Sequence, residues 1–142
     1  MHDRAAARDS ESRLADDEGA LALINLLDQY LRNAFCGTAS MYASDALARN
    51  YTRQTIDEGC FDQIEPRLRL FWCQPFAHSE DLPNQDLSVS LNNRLGRPWL
   101  GHAIEYREIV RRFGRIPHRN EMLGRSLTAA ELGFLADGRF AG

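Results

Sequence analysis

The sequence contains no lysine; all 17 of its basic residues are arginine. Without a side-chain primary amine there is no Schiff-base chemistry and no phosphate-cradling G-x-x-x-x-G-K-[ST] loop. The positive charge that remains sits on guanidiniums, which are permanently ionised and forked to meet a carboxylate or phosphate. Cysteine is sparse as well. Cys36, Cys60 and Cys73 are an odd set with no C-x-x-C pair. That excludes a disulfide framework and points to a reducing cytoplasm. No apolar run approaches the roughly 18 residues of a membrane-spanning helix. The opening "MHDRAAARDSESRLADDEGA" lacks the apolar centre of a secretory signal. Alternating stretches that would read as strands are absent too, so the expectation is an all-α fold.

What is present is an ordinary globular composition: 142 residues, 44% hydrophobic and 26% charged. That length predicts one domain, residues 16–142, preceded by a flexible arm over 1–15 that holds scarcely a large hydrophobe. The net charge of −3 argues against bulk binding to nucleic acid, and nothing in the sequence sets an oligomeric state. The charge is uneven. Residues 1–93 hold 8 arginines and 15 acids, net −7, whereas residues 94–142 hold 9 arginines and 5 acids, net +4. The cationic third suits a small anionic molecule or an acidic peptide as partner.

Helical periodicity divides the chain into about six helices, antiparallel and joined by short loops. "EGALALINLLDQYLRNAF" is apolar nearly all round, yet Asn25, Asp28, Gln29 and Arg32 fall at i, i+3, i+4 and i+7 on one stripe. A buried helix with one polar stripe must satisfy those groups internally or line a cavity with them. A second helix is expected from Ser40 to Glu58, with Gly59 as its stop, and a third from near Gln63 with Pro66 in its first turn. The two prolines of "QPFAHSEDLPNQ" are expected to break that third helix. A fourth runs to Gly96 and a fifth from Pro98 to Phe113, with Gly114 as C-cap; Thr128 and Glu131 form a capping box that opens the last. Trp72 and Trp99 read as core residues.

Polar side chains gather at four places: Asp28, Gln29, Arg32 and Asn33; His78, Glu80 and Gln85; His102; and Arg112, Arg115, His118, Arg119, Asn120 and Arg125. The last group crowds the turn "RRFGRIPHRN". Arginines just past a helix end can converge on an anion, or can neutralise Asp28, Glu80 and the helix's terminal carbonyls. His78 or His118 suits general acid–base work with Glu80 orienting the ring, which makes these three the candidate catalytic residues and the others candidate ligand contacts. A buried histidine donating to a carbonyl is the competing role, above all for His102. No two histidines stand at a helical i, i+4 and the arginines would repel a dication, so neither metal nor other cofactor is expected.

"LALINLLDQYLRNAF", "PFAHSEDLPNQ" and "RFGRIPHRNEMLGRSLTAAELGFL" together resemble the bacterial family registered as domain of unknown function 924, over roughly residues 18–140. The resemblance implies an all-helical, tetratricopeptide-like superhelix of unassigned activity. Members usually begin with a further segment carrying a Trp/Phe-rich helix, and tend to have Pro and Arg where Leu31 and Cys36 stand here. Where that segment closes a wall of the family's pocket, the resemblance implies an open or inactive pocket in this chain. Two functions are thus expected as alternatives. One is an internal Arg/His/Asp/Glu-lined pocket for a small anion, with or without acid–base catalysis. The other is a tetratricopeptide-like module that holds a peptide or partner protein.

Overall fold

The structure, a computed structural model, describes residues 16–138. The arm expected over 1–15 lies outside the described residues. Among those described, every regular element is helical. In chain order they are α1 (Asp17–Asp28), α2 (Tyr30–Ala34), α3 (Asp45–Asp57), α4 (Cys60–Gln63), α5 (Leu70–Ala77), α6 (Leu82–Leu95), α7 (Trp99–Phe113) and α8 (Ala129–Ala136). Single 3-10 turns lie at Ala39–Tyr42, Pro66–Leu68 and Pro117–Arg119. Six of these helices have eight or more residues, in line with the all-α expectation.

Two groups of three helices share α5. In the first, α1, α3 and α5 pack on one another; in the second, α5, α6 and α7 do so. From α1 come Ala20, Leu23, Ile24 and Leu27; from α3, Ala48 and Tyr51; from α5, Trp72, Cys73 and Phe76. The buried positions of α1 recur at three- and four-residue steps, so one face supplies its core contact. α3 buries two threonines in the same face, and each is satisfied by its own helix. Thr52 Oγ1 donates to the Ala48 carbonyl at 2.7 Å and Thr55 Oγ1 to that of Tyr51 at 3.0 Å. Thr55 also accepts from the indole N–H of the fully buried Trp72 at 2.9 Å.

Four boundaries differ from the sequence reading. The first helix breaks at Gln29, and the second is a 3-10 turn followed by α3 from Asp45. The third is divided: α4 stops at Gln63, Pro66 opens a 3-10 turn, and α5 follows. Pro75 does not break α5 but lies inside it, two residues before its end, where it gives up the one backbone bond its own N–H would make to the preceding turn. Pro83 occupies the first turn of α6, where its missing N–H costs nothing. Trp99, read as core, is 40% exposed at the start of α7. Two terminators stand as expected: Gly114 ends α7 at φ +69°, a left-handed conformation that other residues resist, and Thr128 with Glu131 forms the capping box of α8.

Candidate functional site

The polar stripe of the first helix meets the end of α5, the start of α3 and the segment after α7. Asp28, only 1% exposed, accepts from His78 Nδ1 at 2.9 Å and from Gln29 Nε2, and lies 3.8 Å from Arg32. Arg32 donates to Asp45 Oδ2 at 2.8 Å. Arg119 approaches the same oxygen at 3.9 Å. The two guanidiniums also share one aromatic ring, standing 5.4 and 4.7 Å from the centroid of Tyr42. A buried and a part-buried arginine thus divide one carboxylate and one ring between them.

Between these groups is a cleft of about 460 Å3. Its polar lining is Arg32, Tyr42, His78, Tyr106, His118 and Arg119; its apolar lining is Met41, Ile116 and Met122, with the thiol of Cys36. No carboxylate is among the lining residues, for Asp28 and Asp45 stand behind the cations. Arg119 has a further property. Among the described residues its guanidinium makes no hydrogen bond; it has the long ion pair with Asp45 and the stack on Tyr42, and it feels the charge of Glu80 from farther off. Its N–H donors are therefore available to a ligand in the cleft.

Burial sets the protonation of the surrounding groups. It disfavours the charged form of Asp28, but His78, Arg32 and Gln29 outweigh it and hold that carboxyl below its ordinary range. For Asp45 burial wins over Arg32 and the carboxyl is pushed up. Burial, and after it the neighbouring Arg32, pulls the Arg119 guanidinium down. The hydroxyls of Tyr42 and Tyr106 are both pushed up by burial, so each remains a neutral donor at physiological pH. Among the described residues no group of three or more His, Cys, Asp and Glu side chains is arranged to hold a metal ion.

Of the residues singled out from sequence, Asp28, Arg32, His78, His118 and Arg119 come together around this cleft, with Gln29 beside Asp28. Others stand elsewhere. Glu80 does not orient a histidine. It accepts the Ile116 N–H at 2.7 Å and both branches of Arg125 at 2.6 and 2.8 Å, which fastens the segment carrying His118 and Arg119 to the start of α6. Asp28 has the place expected of Glu80. Arg115 forks onto Glu131 at 2.6 and 2.7 Å and donates to the Ser126 carbonyl, so it anchors α8. Arg112 is exposed and stacks on Phe113, and Asn33 is exposed and bonds the Gln29 carbonyl. His102 is exposed beside Trp99. Gln85 is fully buried, and its amide ties the Ala77 and Ser79 carbonyls at 2.8 and 2.6 Å. Asn120 is buried and its carbonyl accepts the Arg125 N–H at 2.8 Å. Sequence reasoning passed over Tyr42, Asp45, Tyr106 and the two methionines. Asp45 alone carried a signal, as an acid in the first turn of a helix.

These pairings fix the acid limb of stability. Asp28, Glu80 and Glu131 all have carboxyls held below the ordinary range. For Asp28 and Glu80 the pairing overcomes burial; for Glu131 Arg115 is the first cause and the Thr128 N–H the second. A folded-state value below the unfolded one contributes stability above the unfolded value of about 4 and loses it as pH falls through the folded value. Asp45, raised by burial, opposes this weakly. Urea unfolding should therefore weaken steeply as pH falls below about 4. A midpoint unchanged down to about pH 2 would show that these carboxylates gain nothing from their partners.

The fold and the cleft define an all-helical protein with a buried arginine–histidine recess. Comparison with known proteins places it more closely. The chain belongs to the family described as bacterial protein of unknown function, DUF924, which it matches over residues 1–139. It is similar to the solved structure of a protein of unknown function from Agrobacterium tumefaciens. The two are 45% identical over 96% of this chain and 77% of that one, with a TM-score of 0.93. No curated protein matches it.

Proposed function

We propose that the cleft binds a small anionic molecule, held by Arg119 and Arg32, with the Asp28–His78 pair beside it as an acid–base group. The carrying observation is Arg119, a buried cation whose donors have no hydrogen-bond acceptor among the described residues. Buried polar donors are nearly always hydrogen-bonded, and an anion in the cleft supplies the acceptors that this guanidinium lacks. Asp28 occupies the Nδ1 edge of His78, which leaves Nε2 as the edge that serves a ligand. The alternative of a tetratricopeptide-like groove for an acidic peptide draws no support from Arg115 and Arg125, which are spent on Glu131 and Glu80. The unpaired cysteines suit the reducing cytoplasm in which we place the protein.

Titration of isotopically labelled protein with acetate tests the reading. Saturable shifts are expected at the amides of residues 116–122 and at the Arg119 side chain, and Arg119→Met should abolish them while leaving the fold intact. Shifts that persist undiminished in Arg119→Met, or that never saturate in the wild type, would refute it.

A further inference from the structure

We infer that the ligand is a monoanionic carboxylate with an apolar or aromatic body, bound together with a proton on His78; this rests on the anion-binding reading above. The first support is charge. Arg32 and Arg119 stand against Asp28 and Asp45, and these four sum to zero. His78 sits at the C-terminal end of α5, where a cation is favoured. It faces Asp28 from α1, Arg32 from α2, Asp45 from α3, and the tyrosines, His118 and Arg119 across the cleft. With its imidazole neutral, an arriving monoanion leaves the recess at −1; a proton on His78 restores neutrality. A phosphate dianion leaves a negative charge buried even then.

The second support is the lining. Arg119 offers a planar fork that matches the two oxygens of a carboxylate. Beyond it the walls are Met41, Met122 and Ile116, with the Tyr42 ring. A compact polar ion leaves these uncovered, whereas a hydrocarbon or aromatic body covers them, and methionine adapts readily to such a shape. The cleft volume of about 460 Å3 has room for that body.

Calorimetric titration of the whole chain with acetate, butyrate, benzoate and inorganic phosphate decides the class. Benzoate should bind about tenfold or more tighter than acetate, with butyrate between, because of the apolar area it covers. Phosphate should bind more weakly than acetate. Repeating the benzoate titration at about pH 7.5, above the ordinary imidazole range, in buffers of different ionisation enthalpy should reveal proton uptake. His78→Gln should lose that uptake, and His102→Gln, an exposed histidine outside the cleft, should keep it. In the wild type, the His78 imidazole resonances should move to the protonated position on adding benzoate, a measurement that needs no variant to fold. Phosphate binding more tightly than every carboxylate would overturn the carboxylate class and leave the anion reading standing. Benzoate no tighter than acetate would overturn the apolar body. Uptake that is absent, or that survives in His78→Gln, would overturn the coupled proton. An absence of binding by all four anions would remove the anion reading itself.

Discussion

Asp28→Ala is expected to lower the unfolding free energy by about 3–5 kcal/mol, the usual cost of breaking a buried pair by removing one partner. The carboxylate is essentially inaccessible and serves His78, Gln29 and Arg32 together. Its deletion strands two donors in a part-buried place, each costing on the order of 1–3 kcal/mol. Its low-lying carboxyl states the same thing as a proton affinity: the ionised form is the one the fold favours. Asp45→Asn makes the control. Burial pushes that carboxyl up despite Arg32, so its charge is incompletely compensated, and neutralising it should cost about 1 kcal/mol or less. Urea melts at neutral pH separate the two. Equal losses in both variants would mean that the asymmetry between the carboxylates is not real.

Trp72→Ala should cost a comparable 3–5 kcal/mol or so, through the cavity it leaves. Trp72 is completely buried in the one helix shared by both groups of three, so the void opens between α1, α3 and α5 rather than at an edge. The variant also leaves Thr55 without the indole donor. Thr55→Val keeps the side-chain volume but removes that bond and the hydroxyl's own bonds to the Tyr51 and Thr52 carbonyls, and should cost about 1–3 kcal/mol. Against a total stability of about 5–15 kcal/mol, the alanine variant should unfold at markedly lower urea. If it melts with the wild type, α5 is not the common element of the core.

The local features of this protein were legible because they are written within one turn of chain. The polar stripe from Asn25 to Arg32, the glycine that ends α7 and the Thr128–Glu131 capping box each depend on residues three to seven positions apart. The identity of the partners was not legible. Sequence placed acids and arginines in groups, but four arginines and four carboxylates pair in many ways, and only the packing of helices selects one. Arg115 went to Glu131 and Arg125 to Glu80, two arrangements that tie segments together and leave Arg119 with the weakest pairing. His78 took Asp28 across 50 residues of chain, in place of the nearby Glu80. Tyr42 gave no signal at all, since a tyrosine in a 3-10 turn looks the same whether or not two guanidiniums lie over its ring.

The three thiols are chemically unequal, and the inequality gives the cleft a built-in reporter position. Burial pushes Cys60 up to about 11, helped by Asp17, and pushes Cys73 up to about 12, so neither presents thiolate at neutral pH. Cys36 is exposed and stands on the cleft wall. A maleimide dye added to the native protein is therefore directed to that one wall without any engineered residue. Its emission would follow the filling of the recess in real time.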